Sequence, residues 1–174
     1  MNILPRTAEK YLIEVAGQYP VVTVTGPRQS GKTTLCRKVF ADKKYVSLEN
    51  LDTRQFATDD PRGFLAGLPD GAILDEIQQT PGLLSYIQTI VDADKRHGLF
   101  ILTGSQQFEV SNVISQSLAG RTAILKLLPF SLEELGATKM IFPLTSSSSP
   151  GFIPGYGKTT SIPRRRYPPI WKPM

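Results

Sequence analysis

A chain of 174 residues, 40% hydrophobic and 20% charged, has room for one compact domain with a core and a tail, and not for two full domains. Its lone cysteine, Cys36, excludes an internal disulfide framework and a multi-cysteine metal site, and no apolar run approaches the roughly 18 residues of a membrane span. The net charge of +5 comes entirely from Lys158, Arg164, Arg165, Arg166 and Lys172, so the body is formally neutral and gives no electrostatic reason to expect nucleic-acid binding.

Residues 5–18 carry a helical pattern, with Tyr11, Leu12 and Val15 on one face, Pro5 suited to a first turn and Gly17 near the end. Val21-Val22-Thr23-Val24-Thr25 is a β-branched run, the mark of a buried strand. A glycine-rich turn follows, and residues 32–40 read as a helix. Residues 45–48 make a second candidate strand, and 52–69 read as short helices broken by Pro61 and Gly67. Ala72-Ile73-Leu74 is a third strand, ending in Asp75-Glu76. Thr80-Pro81 predicts a helix start, a cap followed by proline at the first helical position; Leu83, Leu84, Ile87, Ile90 and Val91 continue one face, and Gly98 stops it. Residues 99–103 are a fourth strand, 107–118 a helix and 123–128 a fifth strand. Ser131-Leu132-Glu133-Glu134 has the pattern of a capping box opening a last helix. Strands alternating with helices imply parallel pairing through crossovers, hence a three-layer α/β domain with a central, mainly parallel five-stranded sheet over about residues 1–140.

From about residue 141 no hydrophobic period survives. Thr145 and Ser146 to Ser149 form a low-complexity stretch, and residues 141–174 are expected to be an irregular, basic, Ser/Pro-rich tail. Its arginines fit a solvated charge run better than a DNA contact.

The chemistry lies in Gly26-Pro27-Arg28-Gln29-Ser30-Gly31-Lys32-Thr33, which fits G-x-x-x-x-G-K-[ST] at every fixed position. Gly26 and Gly31 let the backbone wrap an anion with consecutive N–H groups turned inward, and the helix dipole that follows faces the same point. Lys32 can reach the β- and γ-phosphates, the Thr33 hydroxyl can ligate Mg²⁺, and Thr34 completes the nucleotide-binding stretch. An ordinary glycine turn before a helix is the plainer alternative. Asp75, at a strand tip, can hold Mg²⁺, and the adjacent Glu76 is placed to polarise an attacking water; alone, such a pair is an ordinary solvated turn. Ser105 or Thr103, after the fourth strand, could touch the γ-phosphate or position water, against simple turn chemistry. Arg121 could act as an arginine finger on a neighbour's nucleotide, against a salt-bridged surface arginine.

Three features are set aside. Gly157-Lys158-Thr159-Thr160 echoes the loop's ending, but Phe152 stands where the first glycine should be. His97 has no second His or Cys near it and reads as a surface or cap residue, and Cys36 as a packed one.

GPRQSGKTTL (Gly26–Leu35), LDEIQ (Leu74–Gln78), LTGSQ (Leu102–Gln106), SLAGR (Ser117–Arg121) and LPFSLEEL (Leu128–Leu135) come in an order and spacing that resembles a group of prokaryotic AAA-type ATPases. That group pairs an N-terminal AAA domain with a C-terminal domain of unknown function. The resemblance covers roughly residues 3–140. It implies an AAA-like core with the strand order of the additional-glutamate P-loop class, and Mg²⁺-dependent ATP binding and hydrolysis. It also implies Lys32 and Thr33 on phosphate and Mg²⁺, Asp75 and Glu76 as the Walker B pair, Ser105 as sensor 1, and Arg121 in the arginine slot. Arg166-Tyr167-Pro168-Pro169-Ile170 looks like the start of the relatives' further domain, so a truncated member is expected.

The expected activity is that of a cytoplasmic ATPase, no secretory signal being visible at Met1 to Arg6. A homo-oligomer with Arg121 acting in trans and an unidentified protein partner are compatible with this. Two other readings stay open: a nucleotide-gated binding module without turnover, and a P-loop phosphotransferase acting on a small molecule.

Overall fold

The computed structural model describes residues 5–105, 117–131 and 134. All fall in Met1–Ile141, the first of the two units into which the chain divides. The expected helix at 107–118 lies outside the described residues except for its end, as does the tail.

Five strands, β1 (Val21–Gly26), β2 (Lys44–Ser47), β3 (Ala72–Asp75), β4 (Phe100–Ser105) and β5 (Thr122–Lys126), form one parallel sheet in the order β2-β3-β4-β1-β5. β4 thus stands between the strand that leads into the glycine-rich loop and the strand that ends in Asp75. This is the additional-glutamate arrangement. The described helices are α1 (Ala8–Ala16), α2 (Lys32–Val39), α3 (Leu51–Asp59), α4 (Pro61–Ala66) and α5 (Leu83–Ala93), with a 3₁₀ turn at Ile77–Gln79.

Strand periodicity explains the layers. Successive side chains point to opposite faces, and here both faces are covered, so the central strands are mostly apolar, with the buried hydroxyls of Thr23, Thr25 and Thr103 among them. Val21, Ala72, Leu74, Phe100 and Leu102 pack with Phe64, Leu65, Leu83, Leu84, Ile87 and Val91 from α4 and α5. Their neighbours Val22, Val24, Ile73 and Ile101 pack on the other face with Leu12 and Val15 of α1 and Leu35 and Cys36 of α2. Each such side chain taken fully from water contributes about 1.5–3 kcal/mol before entropy is counted.

Several expected boundaries move by a residue or more, and α5 moves at both ends, stopping at Ala93 before Gly98 is reached. α5 begins at Leu83, not at Thr80-Pro81: Thr80 is still bonded through its N–H to Ile77 O, closing the 3₁₀ turn, and Leu83 N–H returns to Thr80 O. Thr80 lies between these two tight turns with its hydroxyl buried and unpartnered among the described residues, so it caps nothing. Ser131 and Glu134 do exchange the reciprocal bonds of a capping box, Glu134 N–H to Ser131 Oγ at 3.1 Å and Ser131 N–H to Glu134 Oε2 at 2.9 Å.

Candidate functional site

All strands being parallel, their carboxyl ends share one edge, and that edge carries the loop after β1, the acids after β3 and Ser105 at the end of β4. The loop curls as its glycines require. Gly26 has φ +154°, and a Cβ there would collide with the Leu127 carbonyl, whose own N–H ties the chain after β5 to Thr25 O at 2.7 Å. Gln29 and Gly31 take left-handed conformations, φ +62° and +86°, the kind of backbone that forms anion nests, while the Ser30 N–H between them donates to Pro27 O at 3.3 Å. Gly31 caps α2 with no side-chain acceptor, so the first-turn amides of α2 remain available to a ligand at the positive end of its dipole. Ser30 Oγ is buried in this loop with no partner among the described residues.

Lys32 is 5% exposed, its ammonium donating to Gly26 O at 3.1 Å and Pro27 O at 2.9 Å, so the charge sits across the mouth of the nest. Thr33 Oγ1 donates to both oxygens of Asp75, at 2.9 and 3.1 Å. Asp75, also 5% exposed, further accepts from Tyr45 Oη at 2.7 Å and from Thr103 Oγ1. A hydroxyl and a carboxylate are hard oxygen donors, and side by side beneath a phosphate nest they fit a small divalent cation. Burial, then the hydrogen bond to Asp75, pushes the Tyr45 hydroxyl up to about 12, so it stays a donor at neutral pH.

Glu76 is left-handed, φ +58° and ψ +50°, a conformation that costs a non-glycine residue of the order of 1 kcal/mol. The turn separates its side chain from the line of β3. Its carboxylate accepts from Gln78 Nε2, and the same amide donates to Ser105 Oγ at 3.0 Å. Arg28, Gln29, Gly31, Lys32, Thr33, Thr34, Glu49 and Glu76 line one open cavity of about 440 Å³. The smaller hollow beside it, about 110 Å³, is bordered by Arg6, Glu9, Gly31, Thr34, Leu35, Lys38 and Phe130. A larger hollow of about 500 Å³ between α4 and α5 holds none of these groups.

The expected residues from Gly26 to Thr34, Asp75, Glu76 and Ser105 therefore share one edge of the sheet. Arg121 does not. It precedes β5, whose Thr122 pairs with Val21 at the far end of β1, roughly 17 Å of strand from Gly26. There it forms a two-pronged pair with Asp92, Nε to Oδ1 at 2.6 Å and Nη2 to Oδ2 at 2.9 Å, which holds the Asp92 carboxyl below its ordinary range. His97 Nδ1 lies 2.7 Å from Gly17 O at the surface. Cys36 is packed, and burial followed by the Asp75 charge pushes its thiol up to about 12. Sequence reasoning missed Tyr45, Gln78, Glu49 and Arg6, which grips the loop from behind.

Fold and site together define an AAA-type P-loop nucleoside-triphosphatase domain. A family model described as AAA domain matches residues 18–136, and the chain belongs to that family. It is 34% identical over 141 residues to uncharacterized proteins of Mycobacterium tuberculosis and Mycobacterium bovis, a match that covers 79% of this chain and 32% of each relative. The chain thus spans about a third of the length of these curated relatives. Among solved structures it is similar to a Walker-type ATPase of Pyrococcus abyssi, with TM-score 0.50, 18% identity, and 76% of this chain and 55% of that one covered. It is equally similar to domain III of the replication initiation protein DnaA of Thermotoga maritima, with TM-score 0.50 and 18% identity over 78% and 68% of the two chains. Among the described residues no helix is long and apolar enough to cross a membrane.

Proposed function

We propose that the domain binds ATP with Mg²⁺ and hydrolyses its terminal phosphate. The observation that carries this reading is the contact between Thr33 Oγ1 and Asp75 under the loop spanned by Lys32. In it, Thr33 and Asp75 would hold Mg²⁺, which when bound neutralises charge on the β- and γ-oxygens. Lys32 leaves the carbonyls of Gly26 and Pro27 for the triphosphate. Glu76 accepts a hydrogen bond from the attacking water and orients it, while Gln78 and Ser105 fix that carboxylate. The hollow beside Gly31 and Thr34 gives the rest of the nucleotide a place to lie.

Arg121 takes part only in trans on this reading. Its own loop is at the other end of the strand, so the finger needs a head-to-tail neighbour and must leave Asp92. Function in the cytoplasm and a protein partner to be moved belong to the same proposal.

Turnover is what separates this reading from a nucleotide-gated binding module. Phosphate release by the wild type, Lys32→Ala and Glu76→Gln, with ATP binding measured in parallel, decides. Binding should be weakened about ten- to a hundredfold in the first variant, and turnover alone lost in the second. Wild-type turnover in Glu76→Gln would remove Glu76 from its role, and binding without any phosphate release would leave the gated module.

A further inference from the structure

Arg6 plays no part in the phosphate chemistry above, yet its side chain is buried against the loop and each of its three nitrogens donates a hydrogen bond. Nη1 donates to Ser30 O at 3.0 Å, Nη2 to Leu128 O at 2.6 Å and Nε to Glu134 Oε1 at 3.2 Å; the guanidinium carbon stands 4.1 Å from the Phe130 ring centroid. Glu134 also accepts from Thr7 N–H at 2.9 Å and from Ser131 N–H at 2.9 Å.

The bond to Ser30 O has a consequence through peptide geometry. In a trans peptide the C=O of Ser30 and the N–H of Gly31 point in opposite directions. A donor that grips the carbonyl from outside therefore aims the Gly31 N–H inward, into the nest. The same rigid, planar fork holds Leu128 and Glu134, a geometry that a lysine cannot reproduce.

We propose that Arg6 is a positioning residue for the phosphate-binding loop, and that through Glu134 it couples nucleotide occupancy to the turn at Ser131. The coupling rests on the reading of the loop as a nucleotide site. When phosphate takes the Gly31 N–H, the Ser30 peptide is fixed, Arg6 is fixed with it, and the Glu134 carboxylate holds the Thr7 and Ser131 amides for longer. Chain beyond Ser131 thereby senses what lies in the loop.

The test is amide hydrogen exchange at Thr7 and Ser131, with and without Mg-ATP, beside calorimetric affinities for wild type, Arg6→Lys, Glu134→Gln and Arg96→Gln, Arg96 being an exposed residue after α5 that pairs with Asp94 and Asp70. Mg-ATP should slow exchange at both amides about fivefold or more in the wild type, and not in Arg6→Lys at saturating nucleotide. Affinity should fall about tenfold in Arg6→Lys, less in Glu134→Gln and not at all in Arg96→Gln. Should Arg6→Lys fail to fold, the wild-type exchange and Glu134→Gln still decide. Tight nucleotide binding with unchanged exchange at Thr7 and Ser131 would overturn this inference and leave the proposed function standing. Absence of nucleotide binding by the wild type would overturn both.

Discussion

At the scale of single residues, the site depends on a few short contacts whose removal has separable effects. Lys32 bridges two loop carbonyls, so Lys32→Ala should weaken Mg-ATP binding by about ten- to a hundredfold, the worth of a charge-assisted hydrogen bond or two. Tyr45 acts one step further out. Tyr45→Phe deletes a donor to Asp75, and second-layer partners of metal ligands typically govern affinity by ten- to a hundredfold; a titration of Mg²⁺ dependence should shift upward by about tenfold, with little change at saturating Mg²⁺. Gln78 orients Glu76 and Ser105 together, so Gln78→Ala should lower kcat about tenfold and leave nucleotide Kd unchanged. Cys36, held protonated and packed, should resist iodoacetamide at pH 8 in the native protein and react on unfolding, as mass spectrometry of the modified peptide would show.

Elements explain why some of this could be read in advance. The strands were legible because parallel strands covered on both faces must be apolar runs, and Val21–Thr25 and Ala72–Leu74 are such runs. The loop was legible because its chemistry is local: eight consecutive residues carry glycines, lysine and hydroxyl at fixed spacing. Tyr45 was not, because its partner is 30 residues away and only the pairing of β2 with β3 brings it to Asp75. Arg6 lay further out of reach, with Glu134 at a separation of 128 residues. The start of α5 was misplaced because the 3₁₀ turn before it cannot be read from Thr80-Pro81 itself. Two stability predictions belong at this scale. Ile87→Ala, at the centre of α5 against the sheet, should cost about 2–5 kcal/mol by denaturant titration, while Ile124→Ala, 43% exposed on β5, should cost well under that. Glu134 is held below its ordinary range, first by the Ser131 and Thr7 amides and then by Arg6, so its contribution is present at neutral pH and fades as pH falls through the depressed native value. Glu134→Gln should therefore lower the midpoint of unfolding at pH 7, and its difference from wild type should shrink as pH falls below the ordinary glutamate value of about 4.3 and close below the depressed native one.

For the molecule as a whole, the parallel sheet sets two ends with different tasks. The carboxyl end collects the loop, Asp75, Glu76 and Ser105, and the amino end carries Arg121 on Asp92. A head-to-tail assembly is the arrangement that would bring one copy's Arg121 to another's loop. Specific activity should then rise with protein concentration, and Arg121→Ala should abolish that rise with nucleotide affinity intact; concentration-independent turnover would leave Arg121 as the surface ion pair it makes with Asp92.

The measurement that bears most directly on the whole account is calorimetric titration of the folded protein with ATP in the presence of Mg²⁺, beside Lys32→Ala. Saturable binding by the wild type at one site, strongly weakened in the variant, is the expected result. A folded wild type that takes up no Mg-nucleotide would contradict the assignment of the Gly26–Thr33 nest as a triphosphate site.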